Sequence, residues 1–134
     1  MRRGVLVLAS SMAVLLNINA SLSADKFYSE CEGEQLGDYG PGTELRFKIK
    51  PLPDGGYTGT ADITNRRSGN TIDGKLSNFS VTPEKVEFVM TYGGSGRIAG
   101  KTVTMSLKRD GNSLRGTGYS TASGKTRTIE LECK

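Results

Sequence analysis

The chain contains no histidine and no tryptophan, and only two cysteines and four prolines among its 134 residues. Without imidazole there is no Ser-His-Asp or Cys-His arrangement, no imidazole general base and no common zinc ligand set. The two cysteines, Cys31 and Cys133, have no CxxC spacing, so they form no redox or metal motif. Aromatic residues make up 7% of the chain and do not interleave with basic side chains on one face, as nucleic-acid binding requires. Beyond Ile18 no apolar run approaches the ~20 residues of a bilayer span. No later stretch carries a capped helical period long enough for a substantial helix. The absences together predict no metal, no cofactor, no nucleic-acid partner and no membrane span. They leave carboxylates as the only acid–base chemistry.

The N-terminus is laid out as an export signal. Arg2 and Arg3 form a basic start, the segment from Val5 to Ile18 is mostly apolar, and Ala20, Ser21, Ser23 and Ala24 precede the charged pair Asp25-Lys26. Such a pattern predicts a secretory leader over 1–24, cleaved after Ser23 or Ala24, and a secreted or periplasmic destination. An uncleaved anchor is the competing reading, disfavoured by the short apolar run. Removing 24 residues from 134 leaves 110, enough for the single domain expected over 25–134.

In that domain, without Arg2 and Arg3, 16 Lys and Arg face 14 Asp and Glu, a net charge of +2. Carboxylates concentrate early: Asp25, Glu30, Glu32, Glu34, Asp38 and Glu44 meet Lys26 alone before residue 45, so the remainder is basic. An exported chain folds where thiols oxidise, which predicts a disulfide between Cys31 and Cys133. By chain entropy a loop of this length stabilises on the order of 4 to 5 kcal/mol.

Strand alternation dominates the domain. Leu45, Phe47 and Ile49 alternate with polar neighbours, as do Val103, Met105 and Leu107, and Val86, Phe88, Met90 and Tyr92 alternate with Lys85, Glu87, Val89 and Thr91. Tyr57, Ala61 and Ile63 mark another strand, with Gly59 in phase, and Ile129, Leu131 and Cys133 mark the last. Fainter strands are expected over 27–32, 71–81 and 113–120. Turn residues separate these runs at 51–56, 65–70, 83–84, 93–96, 109–112 and 121–124, so successive strands are expected to be antiparallel neighbours. The order Gly-Asn-hydroxyl-aliphatic-charged-Gly occurs at 69–74 and again at 111–116. Each copy puts a glycine two residues beyond an inward aliphatic, where a strand can coil sharply or another backbone approach. The expected fold class is therefore all-β: one antiparallel up-and-down barrel of about eight strands, closed by one disulfide.

This pattern, covering 27–133, resembles the small up-and-down barrels of the calycin type, the group of avidins and lipocalins. Those families carry tryptophan at the barrel floor or in the ligand pocket. Because this chain has none, neither a biotin site nor a lipocalin signature carries over. Ser95-Gly96-Arg97 is similar to the Ser-Gly loop with which bacterial C-type lysozyme inhibitors, also exported eight-stranded barrels, enter an enzyme cleft. The tyrosine and the later Lys-Gly element of that family have no counterpart here.

Two functional readings follow. In the first, the chain is an exported, non-enzymatic protein-interaction module, inhibitor- or immunity-like, whose loops meet another extracytoplasmic protein. The candidate contacts are Arg66, Arg67, Ser95, Arg97, Lys101 and Arg109, all on expected turns or their edges. The alternative is a carrier of a small apolar ligand held inside the barrel near Met90, Met105 and Gly116. Inward residues are numerous enough to fill an eight-stranded barrel, but the glycines at 59, 74, 116 and 118 leave one sector thin. Glu30, Glu32, Glu34, Glu130 and Glu132 would converge if the first and last strands pair, on the outer face rather than in a cleft. Asn78-Phe79-Ser80 is a glycosylation acceptor only in a eukaryotic secretory pathway.

Overall fold

The computed structural model describes residues 27–37 and 42–134. The expected leader over 1–24 lies outside the described residues. Eight strands follow in order: β1 (Glu30–Gln35), β2 (Thr43–Pro51), β3 (Tyr57–Asn65), β4 (Thr71–Val81), β5 (Lys85–Tyr92), β6 (Thr102–Asp110), β7 (Ser113–Ser120) and β8 (Lys125–Cys133). Each pairs antiparallel with its sequence neighbours, and β1 pairs with β8, closing the barrel. The expected fold class is the one observed. The disulfide is present, and it joins two residues that face each other directly across the closing seam.

The alternation read from the sequence is the alternation of burial. Leu45, Val86, Met90, Val103, Met105, Leu107 and Ile129 are fully enclosed, and Phe47, Phe88, Leu76, Leu114 and Leu131 nearly so. Burying one aliphatic or aromatic side chain stabilises by about 1.5–3 kcal/mol, so this single interior face is the main driving force. A barrel this narrow also needs strands that coil tightly. At Gly116 an added Cβ would run into the carbonyl oxygen of Ser106 on the neighbouring strand, and at Gly33 into that of Glu130. Only glycine permits those approaches.

Two local expectations change. The first strand lies at Glu30–Gln35 and not at 27–32. Phe27 and Tyr28 leave the ladder and turn onto the core, where their rings contact each other and Phe27 also meets Tyr57. The β4–β5 register shifts between Ser77 and Ser80, with Asn78 in the left-handed region at φ 57°. This bulge resets the phase: Leu76 points in, Ser77 and Asn78 stay exposed, and Phe79 turns inward to stack on Phe88 at 5.0 Å.

Candidate functional site

In an up-and-down barrel successive connections emerge at alternate ends. The β1–β2, β3–β4, β5–β6 and β7–β8 connections therefore share one end, here the loop end. The β2–β3, β4–β5 and β6–β7 connections share the other with the first and last described residues. This topology sorts the six candidate contact residues. Arg66 and Arg67 (β3–β4) and Ser95, Arg97 and Lys101 (β5–β6) are gathered at the loop end, and Arg109 stands at the opposite end.

The two loops that carry the gathered residues are internally braced. In 65–70, the Arg67 and Ser68 amides donate to Asn65 Oδ1 at 2.9 and 3.2 Å, and the Asn70 amide donates to Ser68 Oγ at 3.2 Å. Gly69 supplies the positive φ of 79° that brings its amide to the Asn65 carbonyl at 2.7 Å. Arg66 pairs with Glu34 of β1 at 3.3 Å, both partly solvated, a contact worth at most about 1 kcal/mol. The longer loop, 93–101, is pinned at its base by the Gly100 amide on the Tyr92 carbonyl and the Gly93 amide on the Asp73 carbonyl, each 2.8 Å. A tighter turn closes within it, from the Ala99 amide to the Gly96 carbonyl and from the Lys101 amide to the Ile98 carbonyl. Ser95, Gly96 and Arg97 are exposed at its tip.

Three neighbours at this end carry no motif and were not among the expected contacts. Leu36 and Ile98, in the β1–β2 and β5–β6 connections, are each 37% exposed and add apolar surface beside the cations. Arg127 falls in phase with the inward Ile129 and Leu131, and its half-buried side chain lies near Tyr92. Burial pushes the Tyr92 hydroxyl above its ordinary value of 10.0, an effect the Arg127 charge partly opposes. Extending the β8 alternation toward its N-terminus would have found this arginine.

Arg109 is engaged otherwise. Its guanidinium stands 5.3 Å from the ring centres of both Phe27 and Tyr28, and Nη1 donates to the Thr82 carbonyl at 2.8 Å. It continues the inward phase of Val103, Met105 and Leu107 and covers the aromatic floor. The residues expected to line a ligand pocket occupy packed positions. Met90 and Met105 are fully buried in the core, and Gly116 lies against the backbone of β6.

The glutamates do converge, on the outside. Glu32 faces Glu132 and Glu34 faces Glu130 across the β1–β8 seam. A groove of about 640 Å³ runs over β8, β1, β2 and β3 at this point, lined by Glu30, Glu32 and Glu132 together with Arg46, Lys48 and Asp62. Arg46 faces Glu32 and Lys48 faces Glu30, so the cations of β2 stand beside the carboxylates of β1 in the groove. Among the described residues no group of three or more His, Cys, Asp or Glu side chains is placed to hold a metal ion. No protein-family model, curated protein or solved structure matches the chain.

Proposed function

We propose that this chain is an exported, non-enzymatic interaction module of calycin-like fold, which binds another extracytoplasmic protein through the connections at its loop end. The observation that carries this reading is the gathering of Arg66, Arg67, Ser95, Arg97 and Lys101 at one end of a closed barrel. Binding residues concentrate on loops that a rigid scaffold positions, and braced loops lose little conformational freedom on binding. Arginine is enriched at interface anchors, and Leu36 and Ile98 leave exposed apolar surface at the same end. The similarity of Ser95-Gly96-Arg97 to an inhibitor loop, and a disulfide suited to an oxidising compartment, support the same reading. An inhibitor or immunity protein would use such an end to enter or cover a partner's cleft.

Affinity capture from the extracytoplasmic fraction, set beside native mass spectrometry of the purified protein, tests this. A partner should be retained by the wild type and released by Arg66→Ala with Arg67→Ala, or by Arg97→Ala, with thermal stability within about 0.5 kcal/mol of wild type. A partner whose affinity ignores all three arginines would remove the proposal. So would a copurifying apolar ligand with no protein partner, and that result would install the carrier reading.

A further inference from the structure

The outer surface of the barrel is not chemically uniform. Over β8, β1, β2 and β3, the outward positions around the groove described above are mostly charged, with carboxylates on β8 and β1 beside cations on β2. On the other side, the register places Val89, Thr104, Tyr119 and Thr126 in one transverse row across β5 to β8. The row above adds Thr91 and Thr102, and the row below runs from Glu87 at the β5 edge through Ser106, Thr117 and Thr128. Apart from Glu87, none of these outward positions is charged, although charged residues make up 24% of the chain.

The sector presents hydroxyl groups and one aromatic ring. Tyr119, in the central row, is 47% exposed, the largest value among the exposed large hydrophobic residues. Ser106 donates to Glu87 at the rim and Thr102 shares a contact with Thr121. Among the described residues, the hydroxyls of Thr104, Thr117, Tyr119, Thr126 and Thr128 have no protein hydrogen-bond partner. Each such group offers one donor and two acceptor sites.

We infer that this face binds a short neutral oligosaccharide, with the Tyr119 ring as stacking platform and the threonine hydroxyls as its hydrogen-bonding grid. Size and charge decide among the occupants. Strands lie ~4.8 Å apart and same-face residues ~6.8 Å apart along a strand, so three rows on four strands cover roughly 200–400 Å². A stable protein interface needs roughly 800 Å² per partner and large apolar anchors, and this face has only Val89 and Tyr119. Nucleic acid needs cations to neutralise phosphate, and the face has none. A neutral polyhydroxylated chain fits what remains: it pairs hydroxyl with hydroxyl and lays the apolar face of a sugar ring on an aromatic one. This site lies on the barrel wall and does not depend on the loop-end reading.

The test is an amide chemical-shift titration of the purified protein with cellohexaose and with N-acetylchitohexaose. Shifts are expected within 89–91, 102–106, 117–119 and 126–128, and affinity should fall about tenfold or more in Tyr119→Ala and in Thr104→Glu. Both substituted residues are exposed, so circular dichroism should stay that of the wild type. Arg97→Ala should leave the sugar titration unchanged, which separates failure here from failure at the loop end. The inference is overturned if neither sugar shifts this face at about 1 mM, or if binding survives both substitutions. A concentration-dependent dimer that Thr104→Glu dissociates would overturn it as well, assigning the face to a second copy of the chain.

Discussion

The two ends of the barrel differ in what holds them. At the end where β1 begins and β8 stops, rings touch in series from Tyr28 through Phe27, Tyr57, Phe79 and Phe88 to Phe47. The Cys31–Cys133 bond closes the seam at that end, and the Tyr28 hydroxyl donates to the Gly111 carbonyl. At the other end no comparable aromatic chain exists among the described residues, and the loops hold their shape by backbone and Asx contacts instead. Each end has one arginine in the inward phase. Arg109 lies over two rings, and Arg127 stands beside Tyr92. Burial and covalent closure lie at one end, and the loops proposed to meet a partner lie at the other.

That division can be broken most forcefully at the floor. Phe88→Ala removes a nearly fully buried ring that meets Phe47 edge-on at 5.6 Å and stacks on Phe79. Urea denaturation should show a loss of about 3–5 kcal/mol. A loss below ~1 kcal/mol would mean that this end is not the stabilising one. The double substitution Cys31→Ser with Cys133→Ser should cost about 2–4 kcal/mol and keep the far-ultraviolet signature of a β-barrel, since the interior face still drives closure. An unchanged melting temperature under oxidising conditions would show the bond to be energetically idle.

How much of this was legible in the sequence depends on whether a feature is periodic. β2 and β6 stand out because Leu45, Phe47 and Ile49, or Val103, Met105 and Leu107, put every apolar side chain on one face. β1 has no such rhythm: Gly33, Glu34 and Gln35 join it because β2 and β8 flank them, a tertiary cause that leaves no local pattern. The bulge at Asn78 is written only as an irregularity, the three-residue step from Leu76 to Phe79, which period-two reading passes over. Arg66, Arg67, Ser95 and Arg97 were readable as turn residues, but whether two turns share an end follows only from counting strands. Arg109 looked like a turn-edge cation because its contacts, Phe27, Tyr28 and Thr82, are far away in sequence.

Two smaller effects sharpen the contrast between the inward arginines. Arg109→Ala should destabilise by about 1–2 kcal/mol, measured by urea titration, because two cation–π contacts and one hydrogen bond are lost together. It should leave partner binding unaffected. At the loop end the expected signature is alkaline. The fold favours the neutral Tyr92 hydroxyl, so its contribution is complete below the ordinary value of 10.0 and is lost as pH rises through the raised value in the folded state. As pH rises above 10.0 the wild type should lose stability more steeply than Tyr92→Phe. Equal slopes would remove Tyr92 from the account.

Amide hydrogen exchange, followed with and without the captured partner, reads both ends in one experiment. The account predicts partner-induced protection within 66–70 and 93–101, and none within 52–56 and 82–84 at the aromatic-floored end. Protection confined to 52–56 and 82–84, or spread equally over both sets of turns, would contradict it.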